Sequence, residues 1–183
     1  MKIGIYGGTF NPPHLGHLAA ARTALDALKL DKLILMPAAV PPHKVLPENS
    51  PAQEHRLAMV ERMADAMERP GAVEVSTLEL EREGKSYTSD TLEAIHRQYP
   101  EAELWLLMGT DMFLTLHLWH EPGTILRLAG ICAFGRSEQD GEDVFAPQRE
   151  FLSKTYPDAR IATITLPGLV DLSLIHISEP TRR

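Results

Sequence analysis

The short apolar run Ile3-Gly4-Ile5-Tyr6 stops at a glycine pair, passes a proline pair and enters a helical pattern, all within the stretch GGTFNPPHLGH from Gly7 to His17. A strand that must become a helix in so few residues constrains the fold more than any other feature of the chain. Gly7 and Gly8 carry no Cβ, so the backbone is expected to turn sharply there and to approach an anion closely. Thr9 and Asn11 add side-chain donors on either side of Phe10. Pro12-Pro13 cannot lie inside a helix, which places the helix start at or just after Pro13 and His14 and His17 in its first turn. At i, i+3 the two imidazoles share a face at the end where unpaired N–H groups and the macrodipole favour negative charge. Gly16 between them leaves room for a flat base or ribose. The stretch reads as a phosphate pocket; a bare strand-turn-helix with two surface histidines is the alternative.

The pattern then repeats. Leu18, Ala21, Leu25 and Leu28 form a helical stripe, and Lys32 to Met36 reads as a buried parallel strand ending at Pro37. Ala38 to Ser50 is a proline-rich loop holding His43 and Lys44 near the phosphate pocket if the first two strands are neighbours; Ser50, Pro51 and Gln53 resemble a capping box. Leu57, Val60, Ala64 and Met67 define the next helix's buried stripe, and Arg56 in its first two turns is either helix surface or a ligand contact. Val73 to Thr77 is a third strand. Leu78 to Thr91 has no core period and reads as a binding loop, with a helix from about Asp90 to Gln98. Its hydroxyls Ser86, Thr88 and Ser89 suit a ligand carboxylate or a helix cap equally. Glu103 to Met108 is a fourth strand, and Asp111 just beyond it is either a helix cap or a ribose ligand. Trp119 lies in a polar stretch, where it either stacks on a ring or packs into the core. Ile131 to Gly135 is a fifth strand ending at Arg136, residues 137–144 an acidic loop, Phe145 to Thr155 a helix and Arg160 to Leu166 a sixth strand.

With 183 residues and 44% apolar content the chain fits one domain, an α/β doubly wound parallel sheet. A formal charge of −7 argues against a non-specific nucleic-acid or membrane surface, so any phosphate site must be locally basic. The single cysteine, Cys132, sits in an apolar run and is expected to be a buried thiol in a reducing cytoplasm. No apolar run reaches the ~20 residues of a membrane helix. A soluble, unexported protein is expected, and homo-oligomers remain open.

GGTFNPPHLGH resembles the signature of the nucleotidyltransferase superfamily whose hallmark is HxGH. VPPHK at Val40–Lys44, the E-x-E-R-x-G-x-SYT-x-D-T stretch ending at Thr91, and Gly109-Thr110-Asp111 are similar to one branch of it, the nicotinate-nucleotide adenylyltransferases. The resemblance implies a Rossmann-like domain joining the AMP moiety of ATP to nicotinate mononucleotide, giving nicotinate adenine dinucleotide and pyrophosphate, with Mg²⁺ held mainly by the ATP phosphates. It makes His14, His17 and Lys44 catalytic and gives ATP to Gly7, Gly8, Thr9, Phe10, Gly16, His17 and Arg136. The acceptor falls to Asn11, Lys44, Ser86, Tyr87, Thr88, Asp111, Trp119 and His120; at that last position the family usually has Tyr. The resemblance covers residues 1–172. Where the family continues with a phosphate-gripping helix start similar to ISSTxxR, this chain reads DLSLIHISEPTRR, so residues 173–183 are expected to be a non-native or disordered tail. The rival readings are a phosphopantetheine adenylyltransferase, a dinucleotide-binding dehydrogenase, which the absence of GxGxxG disfavours, and a nucleotide-binding chain with little turnover.

Overall fold

The computed structural model describes residues 1–10, 12–39, 52–135, 141–166 and 176–178, the last three as backbone only. Short β-favouring apolar runs form the strands β1 (Lys2–Gly8), β2 (Lys32–Pro37), β3 (Val73–Val75), β4 (Glu103–Gly109), β5 (Ala129–Gly135) and β6 (Ile161–Thr165), with β7 (His176–Ser178) at the edge. Among the described residues the sheet order is β3-β2-β1-β4-β5-β6-β7, parallel through β6, with β7 antiparallel to it. The six strands read from the sequence are all present. β7 falls within residues 173–183, whose other members lie outside the described residues.

Alternation along the strands divides their side chains between two cores. Tyr6, Leu33, Leu35, Trp105, Leu107, Cys132 and Phe134 face α1 (Leu15–Ala27) and α2 (Gln53–Ala66). Ile3, Ile5, Ile34, Met36, Leu106 and Met108 face the other layer, α3 (Thr88–Gln98), α4 (Thr110–Thr115), α5 (Pro122–Leu128) and α6 (Glu142–Thr155). The Arg22 guanidinium donates to the Ala66 carbonyl at 2.7 Å and ties α1 to α2. Because β1 pairs with β2 on one side and β4 on the other, the chain changes winding direction beside β1. In open α/β sheets ligands bind beyond the carboxyl ends of the strands at such a point.

Several boundaries differ from the predicted ones. α2 opens at Gln53 with Ala52 as its cap; Ser50 and Pro51, which were to cap it, lie outside the described residues. α3 begins at Thr88 rather than Asp90, taking Thr88 and Ser89 into its first turn and leaving Ser86 in the loop. Glu142 to Val144 belong to α6 rather than to an acidic loop, since acidic residues suit the positive end of a helix. Cys132 is buried as expected, and its apolar surroundings push its thiol pKa up. Among the described residues no helix is long and apolar enough to cross a membrane.

Candidate active site

α1 is capped by its own two histidines. His14, in extended backbone, accepts through Nδ1 from the N–H of Gly16 at 3.0 Å and, more weakly, from that of His17 at 3.4 Å. His17, the third residue of the helix, accepts the N–H of His14 on its own Nδ1 at 3.1 Å. The reciprocal geometry is that of a capping box, with imidazoles in the roles usually taken by Ser or Thr and Glu. The rings stack with centroids 3.8 Å apart. A ring nitrogen that accepts an N–H bond carries no proton, so this network assigns both rings the neutral Nε2–H tautomer. Two N–H donors thus sit at the positive end of a 13-residue helix, with His14 exposed and His17 half-buried.

The surrounding loop differs from the predicted one in where it bends. Gly7 and Gly8 are the last extended residues of β1, paired with Met36 and Pro37, and the turn falls at Phe10 with φ of 46°. A Cβ would find ordinary contacts at both glycines, 3.8 Å from the Met36 carbonyl oxygen and 3.7 Å from the Phe10 ring. No described neighbour therefore crowds either glycine, and the turn lies beyond the pair. Phe10, read as an ATP contact, is 2% exposed and wedges between Tyr6 and His17, at centroid distances of 5.6 and 5.0 Å. Its side chain packs against the ring of a catalytic candidate. Gly16 also has a nearer reason than space for a base, because a Cβ there would lie 2.8 Å from His14 Cε1 and 2.9 Å from its Nδ1. Thr9 is half-buried at the loop, and its carbonyl accepts from Arg56 at 2.7 Å.

A second cluster forms around the start of α3. Tyr87 occupies the cap position without a side-chain capping bond, and its ring stacks on that of His120, centroids 4.1 Å apart and 25° from parallel. Residues 33 apart in sequence thus build one aromatic face, and His120 fills a stacking position with its side chain. Arg82 donates to the Ser86 hydroxyl at 2.7 Å and to Thr91 Oγ1 at 3.0 Å, while Thr91 donates to Glu79 at 2.9 Å. These bonds fasten the binding loop to α3. Burial raises the Glu79 carboxyl pKa, and the Thr91 hydrogen bond and Arg82 only partly counter it. Thr88 is half-buried in the first turn of α3. Beyond β4 the cap of α4 is Gly109, not Asp111, which stands exposed at the helix start. Trp119 packs on the apolar layer and donates from Nε1 to Thr115 Oγ1 at 3.2 Å, so core packing accounts for part of its surface.

A family profile described as Cytidylyltransferase-like matches residues 5–165. A probable nicotinate-nucleotide adenylyltransferase of Shewanella sp. (strain ANA-3) is 43% identical over 180 residues, covering 98% of this chain and 76% of its own length. The chain belongs to this family, in its nicotinate-nucleotide adenylyltransferase branch. A Gemmatimonas aurantiaca relative of the same name is 41% identical over 136 residues; the match covers 74% of this chain and 62% of that protein, somewhat under two thirds of its length. The fold is shared with the nicotinic acid mononucleotide adenylyltransferase of Plasmodium falciparum solved with NaAD, at 17% identity and a TM-score of 0.71 over 92% of this chain and 76% of that one.

Within this branch's signatures, Asn11, Lys44 and Arg136 lie outside the described residues. The structure brings His14 and His17 together with Gly16 and with the Phe10 ring, on which Gly8 also borders, and separately brings Tyr87 to His120. Sequence reading missed the burial of Arg56 and the Glu79–Thr91–Arg82 network. The glutamate and arginine were visible in the E-x-E-R-x-G pattern, but nothing in that pattern says that they bond to a helix start nine or more residues on.

Proposed function

We propose that this chain transfers the adenylyl group of ATP to the phosphate of nicotinate mononucleotide, giving nicotinate adenine dinucleotide and pyrophosphate. The reciprocal His14–His17 cap beside β1 carries the reading, supported by relatives of that name. An oxygen of the acceptor phosphate attacks the α-phosphorus in line; the new P–O bond forms as the bond from the α-phosphorus to the bridging oxygen breaks, and pyrophosphate takes the electron pair. No protein nucleophile is needed. The obstacle is the approach of two polyanions, so catalysis rests on positioning and on donors aimed at developing charge.

Neutral imidazoles suit this task. Each Nε2–H donates to phosphate oxygen without a proton being lost from the cap, and helix α1 adds its positive end. Magnesium enters as part of the ATP substrate, bound chiefly by phosphate oxygens. Lys44 and Arg136 are assigned to the phosphate tails and Asn11 to the acceptor, on their place in the sequence motifs. On the acceptor side, Tyr87 and His120 offer an aromatic face, the first-turn N–H groups of α3 suit the nicotinate carboxylate, and Asp111 suits ribose hydroxyls.

The test is pyrophosphate release from ATP with nicotinate mononucleotide, nicotinamide mononucleotide and phosphopantetheine as alternative acceptors. Release is expected with the first and more slowly with the second, because a charge-assisted hydrogen bond is about twice as strong as a neutral one. Release with phosphopantetheine alone would transfer the chain to the rival reading, and release with none would remove the proposed activity.

A further inference from the structure

Arg56 projects from the first turns of α2 and is 2% exposed, a buried cation that the reaction above does not use. Its Nη1 donates to two carbonyls, Thr9 at 2.7 Å and Ala38 at 3.2 Å. Those carbonyls cap the ends of neighbouring strands: β1 pairs with β2 through Gly8 and Pro37, and the Ala38 N–H donates to the Gly8 carbonyl at 2.8 Å. The Thr9 carbonyl belongs to the peptide that enters Phe10, so holding that oxygen fixes the left-handed turn on which the Phe10 ring meets His17. Among the described residues Arg56 Nε is buried with no hydrogen-bond partner, and no carboxylate pairs with the guanidinium.

A buried charge is costly to keep where a neutral side chain would fill the same space, and two carbonyls compensate it only in part. Through Thr9 this charge is bonded to the loop whose glycines and imidazoles suit an anion. We propose that Arg56 is a positioning residue for the triphosphate: it holds the Thr9–Phe10 turn that seats His17, and the phosphates of the bound nucleotide complete the compensation of its charge. This rests on the reading of the loop as a nucleotide site. The distinction from a structural strap is that the ligand, and not only the fold, depends on the guanidinium.

The test compares Arg56→Lys and Arg56→Met with the parent chain by thermal unfolding without ligand, by calorimetric binding of inorganic tripolyphosphate and of ATP, and by kcat and KM. Arg56→Met is expected to bind tripolyphosphate and ATP at least about tenfold more weakly, because an interaction with a desolvated charge is lost. Arg56→Lys is expected to retain affinity within about threefold, yet to lose roughly 10²-fold in kcat, since an ammonium keeps the charge but not the planar fork that places the loop. KM for nicotinate mononucleotide is expected to move less than twofold in Arg56→Lys. Variants that melt earlier but bind tripolyphosphate and turn over as the parent does would reduce Arg56 to a structural strap and overturn the proposal. Should Arg56→Met not fold, Arg56→Lys decides: retained affinity with lowered kcat supports the proposal, and unchanged kcat overturns it. A parent chain that binds ATP but releases no pyrophosphate would remove the proposed reaction, leaving Arg56 to be judged by tripolyphosphate binding; one that binds neither ligand would overturn both.

Discussion

His17 serves the helix through Nδ1, and the proposed reaction gives its other ring nitrogen to the phosphate, so the two roles separate by substitution. His17→Ala is expected to lower kcat by roughly 10²- to 10³-fold, as for loss of a donor aimed at transition-state charge, with little change in the KM for ATP. The lost cap is expected to cost about 1 kcal/mol in a denaturant titration. His14→Ser provides the contrast, because serine keeps a capping oxygen but offers no second nitrogen; its stability is expected to stay near that of the parent while kcat falls. An unchanged kcat in both variants would remove the imidazoles from the reaction. Gly16→Ala probes the same pair from the backbone. Its Cβ would meet the His14 ring at 2.8 Å, so the ring must leave its capping position. Activity is expected to drop at least about tenfold although alanine is the better helix former by ~1 kcal/mol. A fully active Gly16→Ala would show that the ring's position is immaterial. The sequence placed these residues correctly at a helix start, because prolines and glycines act locally. It could not show that the Phe10 ring packs on His17 or that the His14 ring crowds Gly16, because those contacts depend on which ring fills the space beside them.

At the scale of elements, the loop before α3 is held by a half-buried carboxylate, that of Glu79. Because Glu79 has a raised pKa in the fold, the folded chain binds its proton more tightly than the unfolded chain does. Stability from this group is therefore fully present below its ordinary value of 4.5 and declines as pH rises through its raised value. Glu79→Gln imitates the protonated form. At neutral pH the variant is expected to unfold at no lower denaturant concentration than the parent, and the decline attributable to Glu79 should vanish from a pH series of melts. A parallel decline in parent and variant would show that Glu79 does not control it. The same loop shows why sequence reading fell short. Hydrophobic periodicity found α2 and its stripe at Val60 and Met67, and it found the end of α3, but it has no means to bury Arg56 or to join Arg82 to Thr91. Those side chains are fixed by carbonyls and hydroxyls from other elements, which follow from strand order rather than from local period.

For the whole molecule, apolar runs and β-branched alternation made the six parallel strands legible, whereas β7 was not read as a strand. The sheet's order became visible only in the register, which places β5 between β4 and β6 with its residues shared between the two cores. Cys132 lies in that strand, fully buried, so it reports on the stability of the sheet as a unit. Burial holds its thiol neutral, and a thiol reagent needs both access and the thiolate. Reaction therefore requires an opening that removes β5 from its neighbours. If that opening is global, the free energy obtained from alkylation rates at low denaturant should match the unfolding free energy from a denaturant titration within about 1 kcal/mol. Both should rise together when ATP is added, because a ligand that binds only the folded chain stabilises it by mass action. Labelling that is much faster, and insensitive to ATP at saturating concentration, would show that β5 opens without disturbing the site at β1.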